Sequence, residues 1–578
     1  MKVLMPHLKH YKGAIVGATI AIILSALASL WQPLLLRNIQ RALLANQQQM
    51  VLHDSIWLVI LGLVAIAAGI FNVYFAARIA QGVTSDLRDQ TYTKIQQFSL
   101  ANVEHFSTGS LTTRLINDMN QVMNVMMTTF MMLLRIPIIL VGSFTLAIIT
   151  LPRYWWAPIL MVVLIVGVGI WVIKNMNSLF RHYQVQMDKI STQVKETLQG
   201  VRVVKSFNQG ANESRRFDQT SDQLNNYNIQ IGYWYSTIMP AFQLIAYIVI
   251  GLAIFLIGTT INAHPTDVTV ISPYVSYVFT LLFAIMIGGM VIMTFSRGMV
   301  SVRRIGEILD TKPSVVYPTT DNVKTPLPGA IEFDHVSFAY PGSPDQTLKD
   351  ISFKIAPKQM IGIVGATGSG KSTLAQLIAR LYDPTSGTVK VGGHDVKTLS
   401  ERTLRRTVAF VLQRAILFSG TIADNLRQGK VTANEEELDR AANIAQAQEF
   451  IDNYPDKFNH VVEERSANFS GGQKQRLSIA RGVIGQPPIL ILDDSTSALD
   501  AESEKLVQQA LEHDLPNTTT LMIAEKISSV QHADQILVLD DGRLVATGTH
   551  QELLKSSPVY QEIYRTQKAK ERRADLDE

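Results

Sequence analysis

The sequence predicts an all-α membrane domain of six spans joined to a soluble α/β domain built on a phosphate-binding loop, and three observations predict it. Six long apolar runs with almost no charge fill the N-terminal half. A glycine-rich loop, Gly365-Ala366-Thr367-Gly368-Ser369-Gly370-Lys371-Ser372, stands in the C-terminal half between a strand pattern and a helix pattern. A proline-rich stretch, Pro313 to Gly329, separates the two halves and reads as a linker.

Composition agrees with two domains of different solvent. A chain of 578 residues is too long for one domain, and 47% apolar residues is unusual for a soluble protein. The net charge is only +4, and Lys and Arg gather beside the apolar runs, so no nucleic-acid partner is expected. With no cysteine, a disulfide framework, a thiol nucleophile and a thiolate metal site are excluded.

The apolar runs are Ala14 to Leu36, Ser55 to Ala77, Ile136 to Pro152, Tyr154 to Ile173, a core near Ile231 to Ile261, and Val268 to Ser296. About 20 such residues cross the hydrocarbon core. The first could pass for a signal peptide, with Ala26-Leu27-Ala28 as cleavage site, but it is too long and further spans follow. Six spans leave both termini on one side. The long connections 78–122 and 174–230 carry many Lys and Arg, so that side is predicted to be cytoplasmic, in the cytoplasmic membrane. The expected boundaries are 1–310 for the membrane domain, 311–329 for the linker and 330–578 for the soluble domain.

Within Met187 to Lys205, Ile190, Val194, Leu198 and Val201 recur at helical spacing, which predicts helices continuing into the cytosol. Turns near His105 to Gly109 and Asn208 to Glu213 would then be contact points for the soluble domain; the alternative is a peripheral hairpin with no coupling role. Arg135 lies deep in an apolar stretch. It either lines a substrate path or snorkels to the inner interface, and its distance from Pro152 favours snorkelling. Met126, Met127, Met131, Met132, Met286, Met290 and Met293 offer an adaptable apolar wall, or plain helix packing. Met1 to Lys12 and the charged tail Thr566 to Glu578 read as solvated ends, with a docking role for the tail as the alternative.

In the soluble domain Ile331, Phe333, Val336 and Phe338 predict a strand, and Tyr340 just after it could stack on a base. The strand Ile361 to Val364 leads into the phosphate loop, and a helix pattern, Thr373 to Leu381, leaves it. Such a loop turns backbone N–H groups inward around phosphates, and the helix N-terminus adds a favourable dipole. Lys371 is expected to reach the β- and γ-phosphates and Ser372 to ligate Mg²⁺. Ile489 to Asp493 is a buried strand ending in the carboxylate that would hold the magnesium shell. Together these residues predict an ATP or GTP site.

Between those motifs lies Phe469-Ser470-Gly471-Gly472-Gln473-Lys474-Gln475-Arg476, and with it the sequence resembles ABC transporters. The resemblance covers the whole chain, including Thr108-Gly109-Ser110-Leu111 to Asn117-Asp118, and is closest to bacterial multidrug exporters whose membrane domain comes first. It implies an ABC-exporter membrane domain fused to an ABC-type P-loop domain. It also implies ATP with Mg²⁺, nucleotide contacts from Tyr340, from Gly365, Thr367, Gly368, Ser369, Gly370, Lys371, Ser372 and Thr373, and from a Q-loop glutamine at Gln413, with Ser372, Gln413 and Asp493 around the metal. Ser497-Ala498-Leu499-Asp500 resembles the D-loop. In the family two chains pair around two ATP molecules, so Ser470, Gly471, Gly472 and Gln473 would serve the partner's nucleotide.

Two departures carry chemistry. Where the family has a glutamate that polarises water, this chain has Asp494, one methylene shorter; where it has a switch histidine, this chain has Glu525. A general base must lie within hydrogen-bond reach of its proton, and an anion beside a γ-phosphate is repelled. The chain thus resembles the degenerate-site subunit of heterodimeric multidrug exporters, and the implied partners are a homologous half-transporter, the lipid bilayer and a hydrophobic small molecule. A third departure, Glu463 at a usual glycine position, has no evident consequence. Rival readings are a lipid or peptide flippase on the same scaffold, a soluble ABC ATPase, against which the six runs argue, and a membrane sensor that moves no solute.

Overall fold

The computed structural model describes residues 3–260, 268–320, 323 and 326–577, with side chains as far as residue 569 except at Thr260. Ile261, the end of the fifth apolar run, part of the linker at 321–325 and Glu578 lie outside the described residues. Two compact units result: Met1–Gln96 with Gly109–Thr311, and Gln97–Thr108 with Lys312–Glu578.

The first unit is helical. Its long helices span Lys12–Leu44, Gln48–Gln96, Trp156–Gln199, Gly210–Thr260 and Val268–Asp310, and a composite helix runs over Thr108–Thr150. Each is long and apolar enough to cross a membrane. At 1.5 Å per residue the 49 residues of Gln48–Gln96 reach about 74 Å, well beyond a hydrocarbon core of roughly 30 Å. The apolar runs therefore mark only the middles of the helices, because charge ends a membrane run without ending a helix. The third helix shows this best. It takes in Arg135 and all of 108–135, and it widens into π-helical stretches at Arg114–Asp118 and Thr129–Leu133. Conversely, Pro152 lies outside it, in a short 3₁₀ turn, Pro152–Tyr154. The predicted helix through Lys205 is interrupted at Gly200, after which Val201–Ser206 forms a separate short helix.

Close packing of the third and sixth helices is made possible by a glycine: a Cβ on Gly298 would stand 1.8 Å from Val125 Cγ2. Farther along the same pair, the buried Asp118 accepts from Ser301 Oγ at 2.7 Å, and Arg114 donates to Glu307 at 3.0 Å. The N-terminal segment is not a solvated end. Leu4 is fully buried, and Tyr11 donates to Asp86 at 3.1 Å.

The second unit contains a six-stranded sheet in the spatial order Arg543–Gly548, Gln535–Asp540, Met360–Gly365, Thr519–Ile523, Ile489–Asp493, Val408–Val411. All neighbours but the first pair are parallel. Thr519–Ile523 and Ile489–Asp493 are buried along their whole length, as strands covered on both faces must be. A four-stranded antiparallel sheet, Leu348–Ile355, Ile331–Phe338, Ser386–Val391, His394–Asp395, packs beside it. The helix after the phosphate loop is Lys371–Ile378, shorter than its pattern suggests because Arg380 turns left-handed, φ 48°.

The segment Gln97–Thr108 folds with this unit. Its helix Leu100–Phe106 is capped by Ser99, Leu100 and Ala101 pack on the core that holds Phe338 and Tyr382, and Asn102 bonds Lys312 O and Ser314 N at 3.3 and 3.0 Å. Within the tail, Gln567 is not solvated but bonded. Helix Pro558–Asp577 buries Tyr560 completely and engages the body of the unit through Gln567.

Candidate nucleotide site

The phosphate loop follows strand Met360–Gly365 and opens helix Lys371–Ile378. Gly370 has φ 98°, a left-handed conformation that disfavours side chains, and a Cβ there would stand 2.6 Å from Leu348 Cδ2. Ala366, Thr367 and Gly368 form an exposed rim, whereas Ser369 is buried. Lys371 Nζ folds back on the carbonyls of Gly365 and Ala366, both at 2.9 Å. Burial lowers the Lys371 pKa, and the carboxylates of Glu525, Asp493 and Asp494 oppose that shift. Ser369 Oγ is buried with no hydrogen-bond partner among the described residues. A buried hydroxyl without a partner is costly. It fits a loop made to receive phosphate oxygens.

Ser372 Oγ donates to Asp493 Oδ1 at 2.9 Å, which brings two of the three expected magnesium ligands together at the end of strand Ile489–Asp493, while the third, Gln413, bonds the next residue, Asp494. Burial pushes the Asp493 pKa up, the Ser372 bond opposes this, and Asp494 adds to it. A divalent cation would favour the ionised carboxylate. Gln413 is exposed and donates to Asp494 Oδ2 at 3.1 Å. Asp494 lies in a left-handed conformation, φ 46°, which Asp tolerates better than most residues. Glu525 is exposed, directly after strand Thr519–Ile523 and the buried Ala524.

Tyr340 is half-buried, and its hydroxyl bonds Thr373 Oγ1 and Gln376 Oε1, each at 2.9 Å. Its ring stands edge-on to Tyr382, with centroids 5.3 Å apart. Tyr382 is buried and donates to Glu104 at 2.5 Å; burial first, then this bond, raises its pKa. Glu104 and Tyr382 were not legible as a pair, since 278 residues separate them.

Ser470 begins helix Gly471–Val483 with a capping box: its hydroxyl accepts from Gln473 N, and Gln473 Oε1 accepts from Ser470 N at 2.9 Å. Ser470 and Gly471 remain exposed. Among the described residues no hydrogen bond joins Ser470 to Gln473 with the phosphate loop. Gln475, on the same helix, holds the Ser497–Asp500 turn by accepting from Ala498 N at 2.9 Å. Glu463 has φ −69° and ψ 170°, a backbone open to any residue, so no glycine is needed there.

A six-helix apolar unit linked in one chain to a P-loop α/β unit with an exposed, capped Ser-Gly-Gly-Gln helix start defines a membrane-spanning ABC half-transporter. Residues 15–293 match the family model of the ABC transporter transmembrane region, and residues 348–497 that of the ABC transporter. The chain is 36% identical to an uncharacterized ABC transporter ATP-binding protein of Bacillus subtilis, over 99% of each chain. It is 33% identical to an ATP-dependent lipid A-core flippase of Nitrosococcus oceani, over 88% of this chain and 86% of that one. A bacterial Atm1-family ABC exporter with ATP bound has the same fold, with TM-score 0.76 over 96% of this chain and 98% of that one at 23% identity. The chain belongs to the ABC transporter family, with the architecture of a multi-pass exporter.

Proposed function

We propose that this chain is the degenerate-site subunit of a heterodimeric multidrug exporter in the cytoplasmic membrane, with both termini and the nucleotide domain cytosolic. The observation that carries the reading is the pairing of a complete phosphate cradle with an altered hydrolytic edge. Ser372 meets Asp493 at 2.9 Å beside the loop on which Lys371 folds back, whereas Asp494 accepts from Gln413 at 3.1 Å. A misplacement of about 1 Å in a catalytic group costs on the order of a hundredfold in rate. The site would bind ATP with Mg²⁺ and turn it over slowly. Tyr340 and Gly365 to Thr373 hold nucleotide, and Ser470 to Gln473 complete the partner's site, whose ATP is hydrolysed. Closure of the two nucleotide domains turns the membrane cavity outward, and hydrolysis at the partner's site resets it, expelling an amphipathic or hydrophobic compound. The test is drug transport into inside-out vesicles holding both subunits: uptake that needs ATP and both chains supports the reading, and uptake with this chain alone sinks the heterodimer.

A second reading, a flippase for lipids with an anionic headgroup, is favoured by Arg135, whose Nε is buried with no hydrogen-bond partner among the described residues. Charged groups at membrane depth normally face protein or a water-filled path. Relatives in Nitrosococcus oceani and Pseudomonas putida are named lipid A-core flippases. Transport of fluorescent anionic lipid that Arg135→Ala abolishes, with drug uptake unchanged, would select this reading.

A further inference from the structure

The turn that carries Glu525 is held from outside the sheet by the C-terminal helix. Gln567 Nε2 donates to Glu525 O at 2.7 Å, and Gln567 Oε1 accepts from Ile527 N at 2.8 Å. One side chain therefore satisfies main-chain groups on both sides of Lys526. On the strand side, Ala524 N donates to Ile363 O at 3.3 Å. Beyond the turn, Ser529 Oγ donates to Glu504 Oε1 at 2.6 Å, and Gln508 donates to Ser529 O at 3.1 Å. The same Glu504 oxygen accepts from Thr496 Oγ1 at 2.9 Å, two residues after Asp494. The backbone under Asp494 and Glu525 is thus tied into one hydrogen-bonded frame, and the Glu525 side chain stands exposed at its edge with no hydrogen bond among the described residues.

We propose that Gln567 is a positioning residue: by fixing the 525–527 turn it aims Glu525 at the γ-phosphate position beside Lys371, so that the C-terminal helix sets this site's discrimination between ATP and ADP. The proposal rests on the reading of Glu525 as the altered switch position. Glu525 acts electrostatically on Lys371, the residue that grips the terminal phosphates, and an anion held there repels a γ-phosphate more than it repels ADP, which lacks one. A side chain on a loosened turn swings away from the bound charge. A clamped turn fixes the backbone from which the side chain starts and so narrows the arc through which it can swing away.

The experiment measures ATP and ADP affinity of the purified full chain by competition against a fluorescent nucleotide, with Mg²⁺ present. Gln567→Ala is expected to tighten ATP about threefold to fivefold, the scale of one partly exposed charge contact, and to leave ADP unchanged. Glu525→Gln is expected to do the same, and Gln567→Ala should add nothing in the Glu525→Gln background, because one residue acts through the other. Gln561→Ala, which removes a bond from the same helix to Leu554 O, should move neither nucleotide. If Gln567→Ala shifts ATP and ADP together, or its effect persists without Glu525, the residue is merely structural and the proposal falls. If Glu525→Gln changes the ATP to ADP ratio and Gln567→Ala does not, the proposal falls alone. If neither changes it, the reading of Glu525 falls with it.

Discussion

The two edges of the nucleotide site are built differently. On the cradle edge, Gly370, Lys371 and Ser372 sit on a loop fixed by backbone geometry: a left-handed glycine, a strand before it and a helix after it. On the hydrolytic edge, Asp494 and Glu525 follow strands and keep main-chain bonds to their neighbours, Asp494 N to Ile523 O among them, but their turns are held in addition by side chains from distant segments, Gln413, Glu504 and Gln567. Positions fixed by backbone are hard to change without losing the loop. Positions held by side chains can drift in chemistry while the fold persists, and the two proposed departures, Asp494 and Glu525, lie there. On the proposed reading, binding and hydrolysis are thereby separable within one site.

The largest effect is expected at the cradle. Lys371→Ala should weaken ATP binding about a hundredfold, the scale of two charge-assisted hydrogen bonds to phosphate, as read by equilibrium nucleotide binding to the full chain. A loss of only twofold would mean that the cradle is not what holds the nucleotide. Tyr382→Phe removes the donor to Glu104 in the segment Gln97–Thr108 and should cost about 1–3 kcal/mol locally. Transport by the assembled pair should fall severalfold while ATP affinity stays within about twofold; equal losses in both would show that Tyr382 serves binding alone. In the membrane unit, Gly298→Ala drives a Cβ into Val125 and should destabilise the chain by about 1–3 kcal/mol, seen as a lower melting temperature in detergent with nucleotide affinity unchanged. The smallest effect is expected from Thr496→Ala, which leaves Glu504 its bond from Ser529 and should cost about 1 kcal/mol or less.

Much of this was legible locally. The phosphate loop, the strand Ile489–Asp493 and the six apolar runs are written in glycine spacing and in continuous stretches of one chemistry, which need no tertiary knowledge. The ends of the long helices were not, because hydropathy reports solvent and not backbone conformation: the third helix passes straight through Arg135. Nor were the contacts that join distant segments. Tyr382 with Glu104, Tyr11 with Asp86 and Gln567 with the Glu525 turn depend on topology. A charged tail looks solvated until one uncharged residue within it, Gln567, is seen bonded to a loop 40 residues away.

On the proposed reading this chain's own site binds ATP and scarcely hydrolyses it. ATPase turnover of the full chain alone, of the chain paired with its partner, and of the pair carrying Asp494→Glu with Glu525→His tests it most directly. The lone chain should be nearly inactive and the pair active, with turnover raised by the double substitution toward the roughly hundredfold that a correctly placed base contributes. A lone chain that hydrolyses ATP at the rate of the pair would contradict it, for Asp494 and Glu525 would then be working catalytic residues.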